Sequence, residues 1–190
     1  AGVDEAGRGS WAGPVVAAAV VFPHGKWADI IKVGLDDSKK LSPKRRRYFF
    51  NIIQKNSDVG IGLSSAQEID KINILQATFL AMTRALRNLR IVPDHTLVDG
   101  DKIPTVNFPA EAIVKGDALS ISIAAASIIA KVTRDDLMIK LSRSFPSYAW
   151  QHNAGYGTKQ HREGLEAFGV TKHHRKSYKP IINILRQHNN

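Results

Sequence analysis

Apolar residues along this chain recur with two different periods, and the switches between them mark its elements. "GVDEAG" (2–7) reads as a short strand, "SWAGP" (10–14) as a turn, and "VVAAAVVFP" (15–23) as a second strand closed by Pro23. Two strands this close predict an antiparallel hairpin. Ser42 as N-cap with Pro43 at the first helical position opens a helix over "LSPKRRRYFFNIIQK" (41–55). "DVGIGLSS" (58–65) is a third strand. Ser65 and Glu68 then have capping-box spacing. Beyond them Ile74, Leu75, Thr78, Phe79, Met82, Leu86 and Leu89 recur at helical intervals. "HTLVDG" (95–100) and "EAIVKGD" (111–117) read as short strands.

"LSISIAAASIIAKVTRDDLMIKLSRSF" (119–145) predicts a long helix whose Ala- and Ser-lined first half can press closely on a sheet. "TKQHREGLEAFG" (158–169) predicts a last amphipathic helix stopped by Gly169, with the tail after Tyr178 at the periphery. Three strands with antiparallel connections, then strands alternating with helices, predict an α/β fold with a mixed sheet flanked by helices.

Length and composition narrow this further. A chain of 190 residues, 43% hydrophobic, supports one domain with a real core. No apolar run reaches the ~18 residues of a membrane span, so no membrane partner is expected. The absence of cysteine excludes disulfides, thiol catalysis and zinc–thiolate sites, and fits a reducing cytoplasmic setting. The net charge of +10 favours polyanionic partners. That charge is concentrated in residues 36–55 and 171–190, which favours nucleic acid over a merely solvated basic surface or a lipid-facing one.

Four acids stand in places where an ionised carboxylate is costly to leave unpaired. Asp4 and Glu5 lie in the first strand, Asp99 ends "HTLVDG", and Asp117 sits between a strand and the long helix. Strand ends on one sheet edge converge, so these acids can meet there. An all-oxygen ligand set suits Mg²⁺ or Mn²⁺, and a pair of such ions serves in-line attack on a phosphodiester. Each acid also has a structural reading: Asp99 as a turn residue, Asp117 as a helix cap, Asp4 as a hydrogen-bonded core acid, Glu5 on a solvated strand face. Strand neighbours point to opposite faces. Asp4 and Glu5 can therefore share a site only if the strand twists, bulges or ends there.

"GRG" at Gly7, Arg8 and Gly9 strips the next turn to bare backbone, which can approach a ligand closely. Arg8 adds charge toward a phosphate, and paired backbone groups can read a ribose 2′-OH. There is no Walker pattern, G-x-G-x-x-G or G-x-S-x-G. The residues alone also leave open another metal-dependent nuclease or strand-transfer enzyme, or a basic binding module without catalysis.

"GVDEAGRGSWAGPVVAAAVV", "LDDSKKLSPKRR", "INILQATFLAM", "LVDG", "IVKGD", "SIAAASIIAKVTRD", "HNAGYGTKQH" and "GVTKHHRKSYKP", in this order, cover nearly the whole chain. Together they resemble bacterial ribonuclease HII. The resemblance implies an RNase H-like fold over residues 1–190: a five-stranded mixed sheet flanked by helices (about 1–145), with a C-terminal helical extension (about 146–190). It implies a divalent-metal endonuclease that cuts the RNA strand of RNA–DNA hybrids and nicks DNA duplexes 5′ to embedded ribonucleotides, leaving 3′-OH and 5′-phosphate ends. The catalytic and metal-binding quartet falls on Asp4, Glu5, Asp99 and Asp117. The resemblance puts substrate contacts on Gly7, Arg8 and Gly9, and the family's junction-sensing ring on Tyr156 in "AGYGT". The related HIII type has Glu at the last acidic place and an added N-terminal domain; Asp117 favours HII.

Lys39 is the expected phosphate contact, ahead of Lys40, Thr158 and His161. His173 and His174 read as a solvated basic segment. Asp36, Asp37, Asp135 and Asp136 are assigned to capping and ion pairing. A monomer is expected.

Overall fold

A computed structural model of the chain describes residues 1–23, 25 and 41–188. Its sheet has five strands: β1 (Gly2–Ala6), β2 (Val15–Val21), β3 (Asp58–Ser64), β4 (Thr96–Asp99) and β5 (Ala110–Ile113). They lie in the order β3-β2-β1-β4-β5. β1 runs antiparallel to β2 and parallel to β4, so the sheet is mixed, as the pattern predicted. The parallel pairing puts the C-terminal ends of β1 and β4 side by side.

Alternation along the strands supplies two cores. Val15, Ala17 and Ala19 of β2 join Val3 under α2 (Ala66–Arg87). Ala18 and Val20 face the other way, against α1 (Pro43–Asn56) and α3 (Ile121–Ser144). Small residues permit the close approach expected of α3: a Cβ on Gly2 would lie 2.1 Å from the Ser122 carbonyl carbon.

The helix starts follow the local chemistry. The Ser42 side chain accepts from Arg45 N–H with Pro43 at the first position, and Ser65 and Glu68 complete the capping box. α2 is then broken at Asn73, whose backbone is non-helical (φ 65°, ψ 167°). The Asn73 side chain restarts the helix by accepting from Leu75 and Gln76 N–H groups. The predicted strand through Asp117 ends earlier, at Ile113, and Gly116–Ala118 form a short 3₁₀ turn.

A third core gathers Ala12, Met138, Tyr148, Trp150 and Leu165 with Ile181. It is built by the C-terminal end of α3, the short α4 (Trp150–Asn153), α5 (Lys159–Phe168) and α6 (Lys179–His188). The tail after Tyr178 is therefore not peripheral. It is a helix with Ile181 fully buried, and Ile184 and Leu185 packed at the same spacing. No helix among the described residues is long and apolar enough to cross a membrane.

Candidate active site

The parallel pairing of Gly2 and Val3 with Leu97 and Val98 carries Asp4, Glu5 and Asp99 to one edge of the sheet. All three line a cavity of about 480 Å³, together with Gly7, Arg8, Gly9, Arg46, Ser127, Lys131, Arg134 and Tyr156. β1 ends one residue after Glu5, at Ala6. Two sequence neighbours thus reach one cavity at the strand's end.

Asp4 is buried and accepts from the Glu5 N–H at 2.6 Å and from the Ser127 hydroxyl of α3. Asp99 accepts from the Gly116 N–H at 2.7 Å, which ties the end of β4 to the turn before α3. Asp117 follows Gly116 in that turn. It is buried, and it is not part of the cavity wall. Lys39 lies outside the described residues.

Burial, then the neighbouring Glu5 and Asp99, push the Asp4 carboxyl well above the usual carboxylate range. Burial also raises Glu5; the Arg8 guanidinium, 3.4 Å away, opposes this, and Asp99 adds to it. The donor set is all oxygen and chemically fits hard divalent cations. As the side chains stand, no three Asp, Glu or His residues among those described converge on a single ion-sized point.

The glycine-arginine-glycine turn is held from behind. Gly7 has φ +94°, and a Cβ there would lie 1.9 Å from Arg134 Nε. Arg175 donates to the carbonyls of Gly7 (2.6 Å), Arg8 (2.7 Å) and Gly13 (3.0 Å). Arg134 donates to the carbonyls of Pro14, Ala12 and Ala154 and to Ser10 Oγ. Both side chains are buried and all these acceptors are carbonyls or hydroxyls. Burial, reinforced by Arg175, lowers Arg134 to about 10. In a trans peptide the N–H points opposite to the C=O, and no peptide here is cis. With the Gly7 and Arg8 carbonyls turned inward, the N–H groups of Arg8 and Gly9 point the other way. The Tyr156 ring stands beside Gly9: a Cβ on that glycine would be 3.8 Å from Tyr156 Cε1.

Several residues near the site escaped the sequence reading. Arg134 was given no role there, and it is 1% exposed. Arg175 gave no signal beyond a basic tail. His161 cannot be a phosphate contact because it is fully buried, and Thr158 is the N-cap of α5. His174 is also buried, not solvated. Asp135 and Asp136 pair with Lys131 and Arg47, as expected, while Asp36 and Asp37 lie outside the described residues.

Residues 1–181 match the family model described as Ribonuclease HII. The chain belongs to the ribonuclease HII family. A relative named Ribonuclease HII from Wolbachia sp. subsp. Brugia malayi is 53% identical over 187 residues, covering 98% of this chain and 91% of its own length. The ribonuclease H2 structure from Pyrococcus horikoshii superposes with a TM-score of 0.86 at 29% identity, covering 100% of this chain and 98% of that one. The RNase HII from Archaeoglobus fulgidus, solved in a complex with PCNA, gives 0.79 at 28% identity, with 94% of each chain covered. As a member of this family, the chain is an endoribonuclease with the RNase H-like fold.

Proposed function

We propose that this protein hydrolyses the RNA strand of RNA–DNA hybrids and nicks DNA on the 5′ side of an embedded ribonucleotide, leaving 3′-OH and 5′-phosphate ends. One observation carries the reading. A single cavity holds three carboxylates, Asp4, Glu5 and Asp99, beside the bare Gly7–Arg8–Gly9 turn and the Tyr156 ring.

The carboxylates are the hydrolytic end. Asp4, Glu5 and Asp99, with Asp117 behind Gly116, are the residues that would hold Mg²⁺ or Mn²⁺. Their oxygen donors, with the raised proton affinities of Asp4 and Glu5, fit a cluster completed by divalent cations. Such ions, when bound, supply an activated water and offset the charge of the leaving oxygen.

The turn is the selective end. The N–H groups of Arg8 and Gly9 are directed away from the buried guanidiniums and offer donors to a ribose 2′-OH. Tyr156, 42% exposed, gives the following sugar a flat wall that a second 2′-OH would crowd. Arg46 and Lys131, in the same wall, supply charge toward the phosphates.

The test is cleavage of a labelled DNA duplex containing one ribonucleotide, beside an all-DNA copy, with Mg²⁺ and with chelator. A single metal-dependent nick 5′ to the ribonucleotide, in the first duplex alone, is the expected result. Cutting of both duplexes would remove the role given to Gly7–Gly9 and Tyr156.

A further inference from the structure

Behind the Tyr156 loop, two histidines and a tryptophan are buried together. Trp150 and His161 are fully buried and His174 is 1% exposed. His161 Nε2 is 3.1 Å from His174 Nε2 and accepts from Trp150 Nε1–H at 3.1 Å. His161 Nδ1 is 2.9 Å from the Tyr156 carbonyl oxygen. His174 Nδ1 is 3.0 Å from both the N–H and the hydroxyl of Thr171.

Donor and acceptor counting fixes every proton in this chain. The Thr171 N–H is a donor only, so His174 Nδ1 carries no proton and His174 is protonated on Nε2. The indole N–H is also a donor only, so His161 Nε2 must be the acceptor for both Trp150 and His174. The single proton of His161 then sits on Nδ1, and its only partner is the Tyr156 carbonyl, an acceptor. The order is Thr171 to His174 to His161 to Tyr156, with both rings neutral. Any added proton or reversed tautomer places two donors face to face.

The other polar groups of the Tyr156 backbone are also held: its N–H donates to the Asn153 carbonyl at 2.9 Å, and its carbonyl accepts a second bond from Thr158 N–H at 2.8 Å. The ring, by contrast, is partly exposed beside Gly9.

We infer that His161 and His174 are positioning residues: as a pair of neutral rings with fixed, opposite tautomers, they anchor the Tyr156 backbone and so set the position of its ring for junction selection. This rests on the reading of Tyr156 as the junction-sensing ring. Burial lowers His161, and burial with the neighbouring histidines lowers His174 to about 3, which keeps both rings neutral.

The readout is the ratio of kcat/KM on a single embedded ribonucleotide to kcat/KM on a continuous hybrid. His161→Leu removes the donor to the Tyr156 carbonyl; His161→Asn keeps an N–H near the Nδ1 position. Relative to the parent, His161→Leu is expected to lower the ratio about tenfold, the scale of a small misplacement near a reacting centre. His161→Asn should hold it within about threefold on the same scale. Tyr156→Ala, run alongside, separates the two failures. If Tyr156→Ala leaves the ratio unchanged, the junction-sensing reading falls and this inference with it. If Tyr156→Ala lowers the ratio and folded His161→Leu does not, this inference alone falls. Where His161→Leu does not fold, imidazole ¹⁵N NMR of the unmutated protein decides. Nδ1–H on His161 and Nε2–H on His174 at neutral pH support the inference, and any other tautomer pair or a charged ring overturns it.

Discussion

Arg175 donates to the carbonyl of Gly7 at 2.6 Å across 168 residues of sequence. The contact makes the back of the Gly7–Arg8–Gly9 turn a product of the chain's last quarter. It also explains why a buried guanidinium needs no carboxylate there: carbonyls of Gly7, Arg8 and Gly13 and the Tyr178 hydroxyl surround it.

Lysine cannot reproduce that planar set of donors. Arg175→Lys should leave one or two buried carbonyls unpaired, at roughly 1–3 kcal/mol each. Urea unfolding is expected to show a loss of about 2–4 kcal/mol on that basis. Below the unfolding transition, kcat/KM on the single-ribonucleotide duplex should also fall. Unchanged stability would mean that these bonds do not hold the turn.

Asp4 is expected to trade stability for activity. Its folded pKa lies above the ordinary 3.8. The carboxyl therefore destabilises the fold little below the unfolded pKa, increasingly as pH rises toward the folded pKa, and fully beyond it. Asp4→Asn should abolish turnover yet melt higher than the parent in chelator, with a larger gap at pH 8 than at pH 4. A gap that shrinks as pH rises would contradict the sign.

His174 acts in the opposite direction. Its folded value of about 3 lies below the ordinary 6.5, so the unfolded chain takes up the proton first. Its contribution to stability is intact above about pH 6.5 and is lost as pH falls toward about 3. The slope from this one group reaches at most ~1.4 kcal/mol per pH unit. Denaturation curves at pH 7, 6 and 5 should show the decline in the parent and a smaller one in His174→Gln.

Gly62 reports on the sheet far from the chemistry. A Cβ there would lie 2.1 Å from the Ala81 carbonyl oxygen of α2. Gly62→Ala should therefore lower stability by about 1–3 kcal/mol, as overpacking does. Activity per folded molecule should be preserved, as checked by titrating active enzyme at low temperature. A drop in kcat without a drop in melting temperature would contradict this account.

Asp117 is expected to separate catalysis from binding. Asp117→Asn should lower turnover at least about a hundredfold, as expected when charge stabilisation at the reacting phosphate is lost. Duplex affinity should change little, because the proposed duplex contacts are basic side chains. It should fall steeply with salt in parent and variant alike. Full turnover by the variant would remove Asp117 from the site.

The elements were legible wherever the signal is local. Ser42 with Pro43, and Ser65 with Glu68, start helices because a side chain and the N–H groups it caps lie within three residues. The apolar run of β2 marked a strand, and the Ala- and Ser-lined first half of α3 marked a helix that presses on the sheet. Four carboxylates in costly places could be picked out from sequence, as could the bare turn beside two of them.

Only the tertiary structure decided what those residues meet. β1 ends one residue past Glu5, and β4 pairs alongside, so Asp4, Glu5 and Asp99 share a cavity. Arg175 and His174 read as a solvated basic segment and His161 as a phosphate contact, and Arg134 drew no assignment, yet each is buried. The reason is physical. Burying a charged or polar group is tolerable only when its hydrogen bonds are met, and the partners here are largely carbonyls and rings brought from distant segments. A backbone carbonyl is present at every residue, so sequence cannot mark which ones will face a guanidinium; the packing of the C-terminal helices against the first turn chooses them.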